Sequence, residues 1–324
     1  MSILITGGAG YIGSHIAKNL IDRKYNVISL DNLTTGHKRL INQKAIFIKG
    51  DVNNKKLVNN IIKQYNIQTI IHLAAYSNVS EAEKNKLKYK INNIQGTQNL
   101  IFACKNSNIK NFIFSSSCSI YGNVKGSVNE RIKPNPQGYY AYTKFKGEEL
   151  VKQNAKKYKY KYGILRYFNV AGASNCGLIG EIEESHGHLI KNIAIQSLKK
   201  KPILNIFGND YPTKDGTCVR DYIHVSDLTD IHIKGLDYLE TNKKSFILNC
   251  GYGRGYSVKE IVNIFKKIKK NLTINYQKRR PGDIAQVYSN TKKLNQLLKW
   301  KPKYNDMSVI IKSAIRWEKK LKTY

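Results

Sequence analysis

The chain has 324 residues, enough for two domains, and 41% of them are hydrophobic, which excludes wholesale disorder. Its 55 basic residues outnumber its 22 acidic ones, for a formal charge of +33. The lysines are spread along the chain, with no basic-aromatic platform, which argues against a specific nucleic-acid partner. The five cysteines are odd in number and include no C-x-x-C, excluding a disulfide framework and a cysteine zinc site. No apolar run approaches membrane-span length, and Met1 leads straight into an apolar strand with no leader-like pattern, so a cytoplasmic location with no membrane partner is expected. Lys, Asn, Ile and Tyr are abundant throughout, so the charge reads as biased composition, with steering of an anionic ligand as a secondary consequence.

The first strand, Ile3-Leu4-Ile5-Thr6, breaks into Gly7-Gly8-Ala9-Gly10-Tyr11-Ile12-Gly13 and then into helical spacing at Ile12, Ile16 and Leu20. A strand, a tight turn and a helix N-terminus form a dinucleotide-binding pattern. Gly7 permits the turn, Gly10 lets the backbone approach a pyrophosphate, and Gly13 lets the helix lie close on the sheet. The phosphates belong at the positive end of the helix near Tyr11. A second apolar strand over 27–30 ends at Asp31. A carboxylate there suits the adenine-ribose hydroxyls and repels a 2′-phosphate, so NAD is expected over NADP, although Lys38 and Arg39 lie nearby. A turn-forming Asp31-Asn32 pair is the other use of the same position.

A third strand over 45–49 runs into Gly50-Asp51-Val52, a helix follows around 57–65, and a fourth strand over 69–73 ends at Ala74 and Ala75. A long helical region over 83–106 holds Asn93, and a fifth strand over 112–114 ends in Ser115-Ser116-Ser117. The alternation predicts an α/β fold: a doubly wound parallel Rossmann sheet with a smaller C-terminal α/β substrate domain. The expected domains are 1–173 for the cofactor and 174–324 for the substrate, with parts that cross back, and the substrate is expected in the cleft between them. Gly7, Asp31, Asp51, Ala74 and Ser115 all emerge at the carboxyl edge, where such sheets bind ligands.

A helix after Pro136 carries Tyr140 and Lys144, four residues apart and so on one face, whereas Tyr142 faces elsewhere. An ammonium beside a phenol favours the phenolate, as would a positive nicotinamide, and a serine hydroxyl from the strand end can share the proton being moved.

These strings resemble the extended short-chain dehydrogenases/reductases, and among them the UDP-glucose (UDP-galactose) 4-epimerase family. The likeness runs from GGAGYIG through IIHLAAYSNVSEA from Ile70, FSSSCSIYG from Phe114 and NPQGYYAYTK from Asn135. It continues through LRYFNVAGA from Leu165, NIFGNDYPTKDGTCVRDYIHVSDL from Asn205 and RRPGD from Arg279, which separate this subgroup from other nucleotide-sugar enzymes. The resemblance implies Tyr140 as catalytic base, Lys144 as its partner that also holds the nicotinamide ribose, and Ser117 as the hydroxyl bonded to the sugar O4. It implies NAD contacts from Tyr11, Ile12, Asp31, Asn32, Asp51, Val52, Leu73, Ala74, Ala75, Asn93, Ser115, Tyr167 and Phe168, beside Gly7, Gly10 and Gly13. Substrate contacts are implied for Asn169, His188, Leu189, Asn205, Ile206, Phe207, Arg220, Arg280 and Asp283. Two arginines aimed at a pyrophosphate make sense as bidentate, charge-assisted donors. A UDP-sugar substrate, retained NAD and a homodimer through helices of the first domain complete the implied picture.

Three departures stand out. Ser77 replaces a lysine of some members, and Lys191 replaces the usual proline after His188-Leu189-Ile190, which puts that turn's shape in doubt. Val287 replaces a bulky tyrosine of some members beside the sugar's 2-substituent, leaving room for an N-acetyl group unless other residues close the gap. Glu183, Glu184, His186 and His188 could be read as metal ligands, but the helical His-E-x-x-H spacing is absent, and the segment reads as a substrate-cap loop with no metal. Dehydratases of this group place Asp-Glu where Ser117-Cys118 stands here, so that chemistry lacks its carboxylates. Another nucleotide-sugar epimerase or decarboxylase, or a non-catalytic NAD-binding module, are the alternatives, the last disfavoured by an intact Ser117, Tyr140 and Lys144.

Overall fold

The computed structural model describes residues 1–182, 188–280 and 283–323. The first part alternates: β1 (Ser2–Thr6), α1 (Tyr11–Asp22), β2 (Asn26–Asp31), β3 (Ile46–Lys49), α2 (Lys55–Gln64) and β4 (Ile67–His72). Then come α3 (Val79–Lys84), α4 (Lys86–Tyr89), a π-helical stretch (Lys90–Gln95), α5 (Gly96–Ala103) and β5 (Asn111–Ser117). The middle contains β6 (Gly126–Val128), α6 (Tyr139–Ala155), β7 (Lys161–Tyr167), β8 (Asn169–Ala171), α7 (Leu189–Ser197) and β9 (Ile203–Phe207). The chain finishes with β10 (Val219–His224), α8 (Val225–Asn242), β11 (Phe246–Cys250), β12 (Gly255–Ser257), α9 (Val258–Ile268), β13 (Thr273–Gln277), β14 (Gln286–Ser289), α10 (Lys292–Leu298) and α11 (Met307–Lys322).

The chain divides into two discontinuous units, residues 1–122, 134–167 and 229–248 in one, and 123–133, 168–228 and 249–324 in the other. The first is built on a seven-stranded sheet of order β11-β7-β5-β4-β1-β2-β3. β1 runs parallel to β2 and β4, and β5 runs parallel to β4 and β7. Strand order reverses between β1 and β4, the switch point where such sheets bind ligands. Ile3, Leu4, Ile5, Ile70 and Ile71 are all buried because helices cover both faces, so these strands read as continuous apolar runs. Asn54 caps α2 by accepting from Leu57 N at 3.0 Å, and the helix buries Val58, Ile61 and Ile62.

The long helical region expected over 83–106 is helical from Lys86 to Ala103, with a π-helical segment inside it, and is separated from α3 at Asn85. Asn85 breaks the run between α3 and α4 with non-helical angles (φ −123°, ψ 51°), and the π-helical stretch buries Asn92 and Asn93. Such π turns often mark functional positions. The strands β7 and β11 extend the sheet beyond β5 and were not anticipated as strands, although the LRYFNVAGA string begins within β7.

The second unit holds a sheet of order β12-β10-β14-β6, with β8 added on β10, and a two-stranded parallel pair β13-β9. Its core gathers Ile190, Ile193, Leu204, Ile206, Phe265, Ile310 and Ile311. α9 begins with a capping box formed by Ser257 and Glu260.

Candidate active site

The glycine turn is built for close approach. Gly7 has φ +77°, and a Cβ there would sit 2.9 Å from Ala74 N. A Cβ on Gly13 would lie 2.1 Å from the Gly7 oxygen, so α1 begins directly on the turn. Gly10 caps α1 without a side-chain hydrogen bond, a position that a pyrophosphate anion would fill. At the end of β2, Asp31 is buried; Oδ2 accepts from Ala9 N at 3.0 Å and Oδ1 from Leu33 N at 2.8 Å. Burial pushes this carboxyl up, against the pull of those backbone donors. Asn32 Nδ2 donates to Asp51 Oδ2 at 2.8 Å. Burial raises Asp51 too, but bonds from Asn53 and Asn32 outweigh it and hold the carboxyl below its usual range. A side-chain-free cradle, a helix N-terminus and a carboxylate at the second strand's end fit a bound NAD.

The chemistry-bearing residues converge where α6 crosses the end of β5. Lys144 is buried, and its Nζ donates to the Ser115 carbonyl oxygen at 2.8 Å and to Ser115 Oγ at 3.3 Å. Tyr140 lies near Ser117, whose side chain favours the ionised phenol. Ser117 Oγ accepts from Ser119 N at 3.2 Å and from Ser119 Oγ at 3.0 Å. In contrast to the expectation of a phenolate drawn out by Lys144, burial pushes the Tyr140 phenol up to about 12, with the Ser117 side chain opposing and Cys118 adding to the rise. Burial also pulls the Lys144 amine down to about 7. Desolvation disfavours charge on both residues and is the largest influence on each.

Behind this pair lies a polar chain that the sequence did not reveal. The His72 ring is held between Thr6 Oγ1 at 2.7 Å and Thr97 Oγ1 at 2.9 Å. Thr97 Oγ1 donates to the Asn93 carbonyl oxygen at 2.6 Å, so it accepts from His72, which assigns the proton to Nε2 and makes Nδ1 the acceptor from Thr6. Burial, followed by the nearby Lys144, pulls His72 down to about 3, so it stays neutral. Asn93 Oδ1 accepts from Tyr76 N at 2.9 Å, and Nδ2 donates to the Tyr76 oxygen at 3.0 Å and to Thr143 Oγ1 at 3.1 Å. Its amide is thus committed to clamping the segment after β4 onto α6. Tyr167 Oη lies 2.6 Å from Nε2 of the buried His232. Val52 is buried, while Tyr11, Ile12, Leu73, Ala74 and Ala75 are half-buried along the strand ends.

In the second unit, Arg220 pairs with Asp283 at 3.5 Å, and the Arg280 guanidinium lies 3.9 Å from the centroid of the Phe207 ring. Asn205 and Phe207 share one face of β9, whereas Ile206 points into the core, so only its main chain is offered to a ligand. Phe168 is likewise buried, and Asn169 begins β8. Val287, buried in β14, stands in register with Arg220 on β10. Lys191 leaves α7 regular; its buried amine pairs with Glu318 and donates to the Glu181 oxygen at 2.6 Å. His188 precedes α7, its Nδ1 2.6 Å from Glu181 Oε1, and Leu189 packs on the core. Glu183, Glu184 and His186 lie outside the described residues, as do Pro281 and Gly282. Among the described residues no group of three or more His, Cys, Asp or Glu is placed to hold a metal ion.

The family model of the NAD dependent epimerase/dehydratase family matches residues 3–251. The UDP-glucose 4-epimerase of Lactobacillus helveticus is 40% identical over 322 residues, covering 98% of this chain and 97% of that protein. Among solved structures, the chain is similar to UDP-glucose-4-epimerase from Stenotrophomonas maltophila with bound NAD and formylated UDP-arabinopyranose. That similarity has a TM-score of 0.94 at 31% identity and covers 100% of this chain and 99% of that one. The UDP-Glc/GlcNAc 4-epimerase from Campylobacter jejuni gives a TM-score of 0.85 at 38% identity, covering 98% of this chain and 99% of that one.

Proposed function

The chain belongs to the NAD dependent epimerase/dehydratase family, and from that premise we infer that it is an isomerase that inverts C4 of a UDP-hexose with NAD as its cofactor. The observation that carries this reading within the molecule is the anchoring of Lys144 on Ser115 at the end of β5, with Tyr140 one turn before it on α6 and near Ser117. When bound, NAD would supply the redox chemistry that oxidation and re-reduction at C4 require.

The remaining steps fall to the protein. Tyr140 removes the proton of the 4-hydroxyl as C4 is oxidised and returns it when C4 is reduced. Ser117, near the phenol, would link it to the sugar oxygen. Gly7, Gly10 and Gly13 with the α1 N-terminus would hold the NAD pyrophosphate, Asp31 its adenine ribose, and Lys144 its nicotinamide ribose. Arg220 and Arg280 would hold the UDP pyrophosphate, and Asp283 the uridine ribose, with Phe207 offering a stacking face. Anchoring the sugar only through UDP leaves the hexose free to turn over between the two half-reactions.

A wider substrate range that includes UDP-GlcNAc and UDP-GalNAc is the second reading, favoured by Val287 where a tyrosine would fill the space beside the sugar's 2-substituent. NMR of the purified protein, incubated with UDP-galactose and separately with UDP-GlcNAc and no added cofactor, tests both readings. Conversion of UDP-galactose supports the first, conversion of both supports the second, and conversion of neither even with NAD supplied overturns them.

A homodimer is proposed through the face of α4, the π-helical stretch and α5. Leu87 (69% exposed), Ile91 (41%) and Phe102 (46%) line one groove there with Ile94 and Gln98. An apolar face of this kind suits a second copy of the same surface across a two-fold axis. A cytoplasmic location accords with five cysteines that are all free thiols.

A further inference from the structure

Helix α6 presents Tyr140, Lys144 and Glu148 at four-residue intervals on one face, and each comes close to a serine at the end of β5. Tyr140 lies near Ser117 and Lys144 meets Ser115, while Glu148 Oε1 accepts from Ser116 Oγ at 2.6 Å. Glu148 is 0% exposed and Arg166 of β7 only 2%, and the two form a bidentate pair. Arg166 Nε donates to Oε1 at 2.8 Å and Nη2 to Oε2 at 2.7 Å. Arg166 Nη1 donates to Tyr121 Oη at 2.9 Å. Tyr121 closes the short 3₁₀ turn (Cys118–Tyr121) that begins immediately after Ser117. One ion pair therefore holds the residue before Ser117, the turn after it, and the helix that carries Tyr140.

Stability alone is a poor reason for such a pair, because apolar residues of similar volume often replace buried ion pairs with no loss. Packing already seats the helix: a Cβ on Gly147 would lie 2.3 Å from the Phe114 ring. A flat ring against a bare backbone leaves rotation and sliding of the helix weakly set, whereas a bidentate guanidinium–carboxylate pair is directional. We propose that Glu148 and Arg166 are positioning residues for epimerisation, fixing α6 over β5 so that Tyr140 keeps its place relative to Ser117. The proposal rests on the function inferred above for its kinetic consequence, and on geometry alone for its structural one.

The test uses the purified protein with its bound nucleotide, as wild type, Glu148→Gln, and the charge-free pair Glu148→Leu with Arg166→Met. Both variants are expected to lose about ten- to a hundredfold in kcat on UDP-galactose with KM little changed, the signature of a misplaced reacting group. The charge-free pair is expected to keep its melting temperature, separating position from stability. In protein labelled at the tyrosine ζ carbon, the NMR signal lost in Tyr140→Phe is expected to move in both variants. This signal tests the placement of Tyr140 even if no UDP-hexose turns over, an outcome that would count against the inferred function and not against the positioning role. Should the charge-free pair fail to fold, Ser116→Ala removes one hydroxyl, leaves the ion pair, and is expected to show a smaller kcat-only loss. Unchanged kcat and an unmoved Tyr140 signal in the variants that fold overturn the proposal.

Discussion

The Lys144 amine rests on the carbonyl oxygen of Ser115 at 2.8 Å, while the Ser115 hydroxyl donates to the His72 carbonyl oxygen at 2.9 Å. The lysine is therefore anchored to the end of β5 by main-chain geometry. Its remaining donor is what it has to offer the nicotinamide ribose. Tyr140→Phe removes the group that exchanges the proton and leaves this anchor intact. Its turnover is expected to fall by about 10²–10⁴-fold with NAD still bound. Lys144→Met is expected to lose both turnover and retained nucleotide. Release of nucleotide from denatured protein, quantified beside the rate, separates the two; equal NAD content in both variants would remove the lysine from the cofactor site.

Asp31 spends its oxygens on Ala9 N and Leu33 N, at the strand end where a ribose diol would sit. Its carboxylate can take further donors, and its charge repels a 2′-phosphate. Asp31→Asn is expected to weaken NAD binding by about tenfold or more and to narrow the preference for NAD over NADP, since hydrogen bonds to charged groups carry about 1.5–3 kcal/mol. Titration of both nucleotides into stripped protein measures this. An unchanged preference would assign Asp31 to the turn alone, as its bond to Leu33 N permits.

The strand–turn–helix geometry of the first unit was legible because its signals are local. Gly7, Gly13 and Asp31 lie within one strand–turn–helix–strand segment, and the structure seats them as the spacing required. Tyr140 and Lys144 were legible for the same reason, one helix face serving both. What escaped depends on partners far apart in sequence. Glu148 and Arg166 meet across 18 positions and His72 reaches Thr6 across 66, and no local pattern announces either. A charged residue directly after the apolar pair Ile164-Leu165 near the end of β7, as Arg166 is, was the one available hint. The direction of the Tyr140 shift escaped too, because proximity of Lys144 was visible in the spacing while the depth of burial was not. Asn93 and Ile206 show a further limit: resemblance gives a position, but not which way its side chain is committed.

His72 links the fold to pH. Its folded value is about 3 against an ordinary value of 6.5, so between these the unfolded chain holds a proton that the folded chain does not. Stability contributed by the neutral imidazole is intact above pH 6.5 and declines as pH falls towards 3, at about 1.4 kcal/mol per pH unit. Urea denaturation of wild type and His72→Gln between pH 7 and pH 4.5 is expected to show a shallower decline in the variant, since glutamine keeps a donor and an acceptor but does not titrate. Parallel curves would place the acid sensitivity elsewhere.

The apolar face of α4 and α5 bears on assembly. Ile91 and Phe102 are both more than two-fifths exposed, and a charge at either would be trapped in a two-fold contact. Ile91→Lys with Phe102→Glu is expected to convert a dimer into a monomer in sedimentation equilibrium with little change in the folded signal. A wild type that sediments as a monomer at every concentration would leave this face without the partner proposed.

Val287 is the sharpest handle on substrate range. It is buried at 4% in β14 and stands in register with Arg220, one of the arginines proposed to hold the UDP pyrophosphate. A tyrosine at this position overfills the packed volume, and the substrate range proposed above puts the added ring beside the sugar's 2-substituent. Val287→Tyr is therefore expected to suppress conversion of UDP-GlcNAc by about tenfold or more while sparing UDP-galactose, the asymmetry that a steric block of the 2-substituent produces. Competing the two sugars in one NMR sample gives the ratio of their kcat/KM values directly. If both rates fall together, the tyrosine has disturbed β14 and Arg220 rather than the pocket, and the room for an N-acetyl group must be sought at other residues.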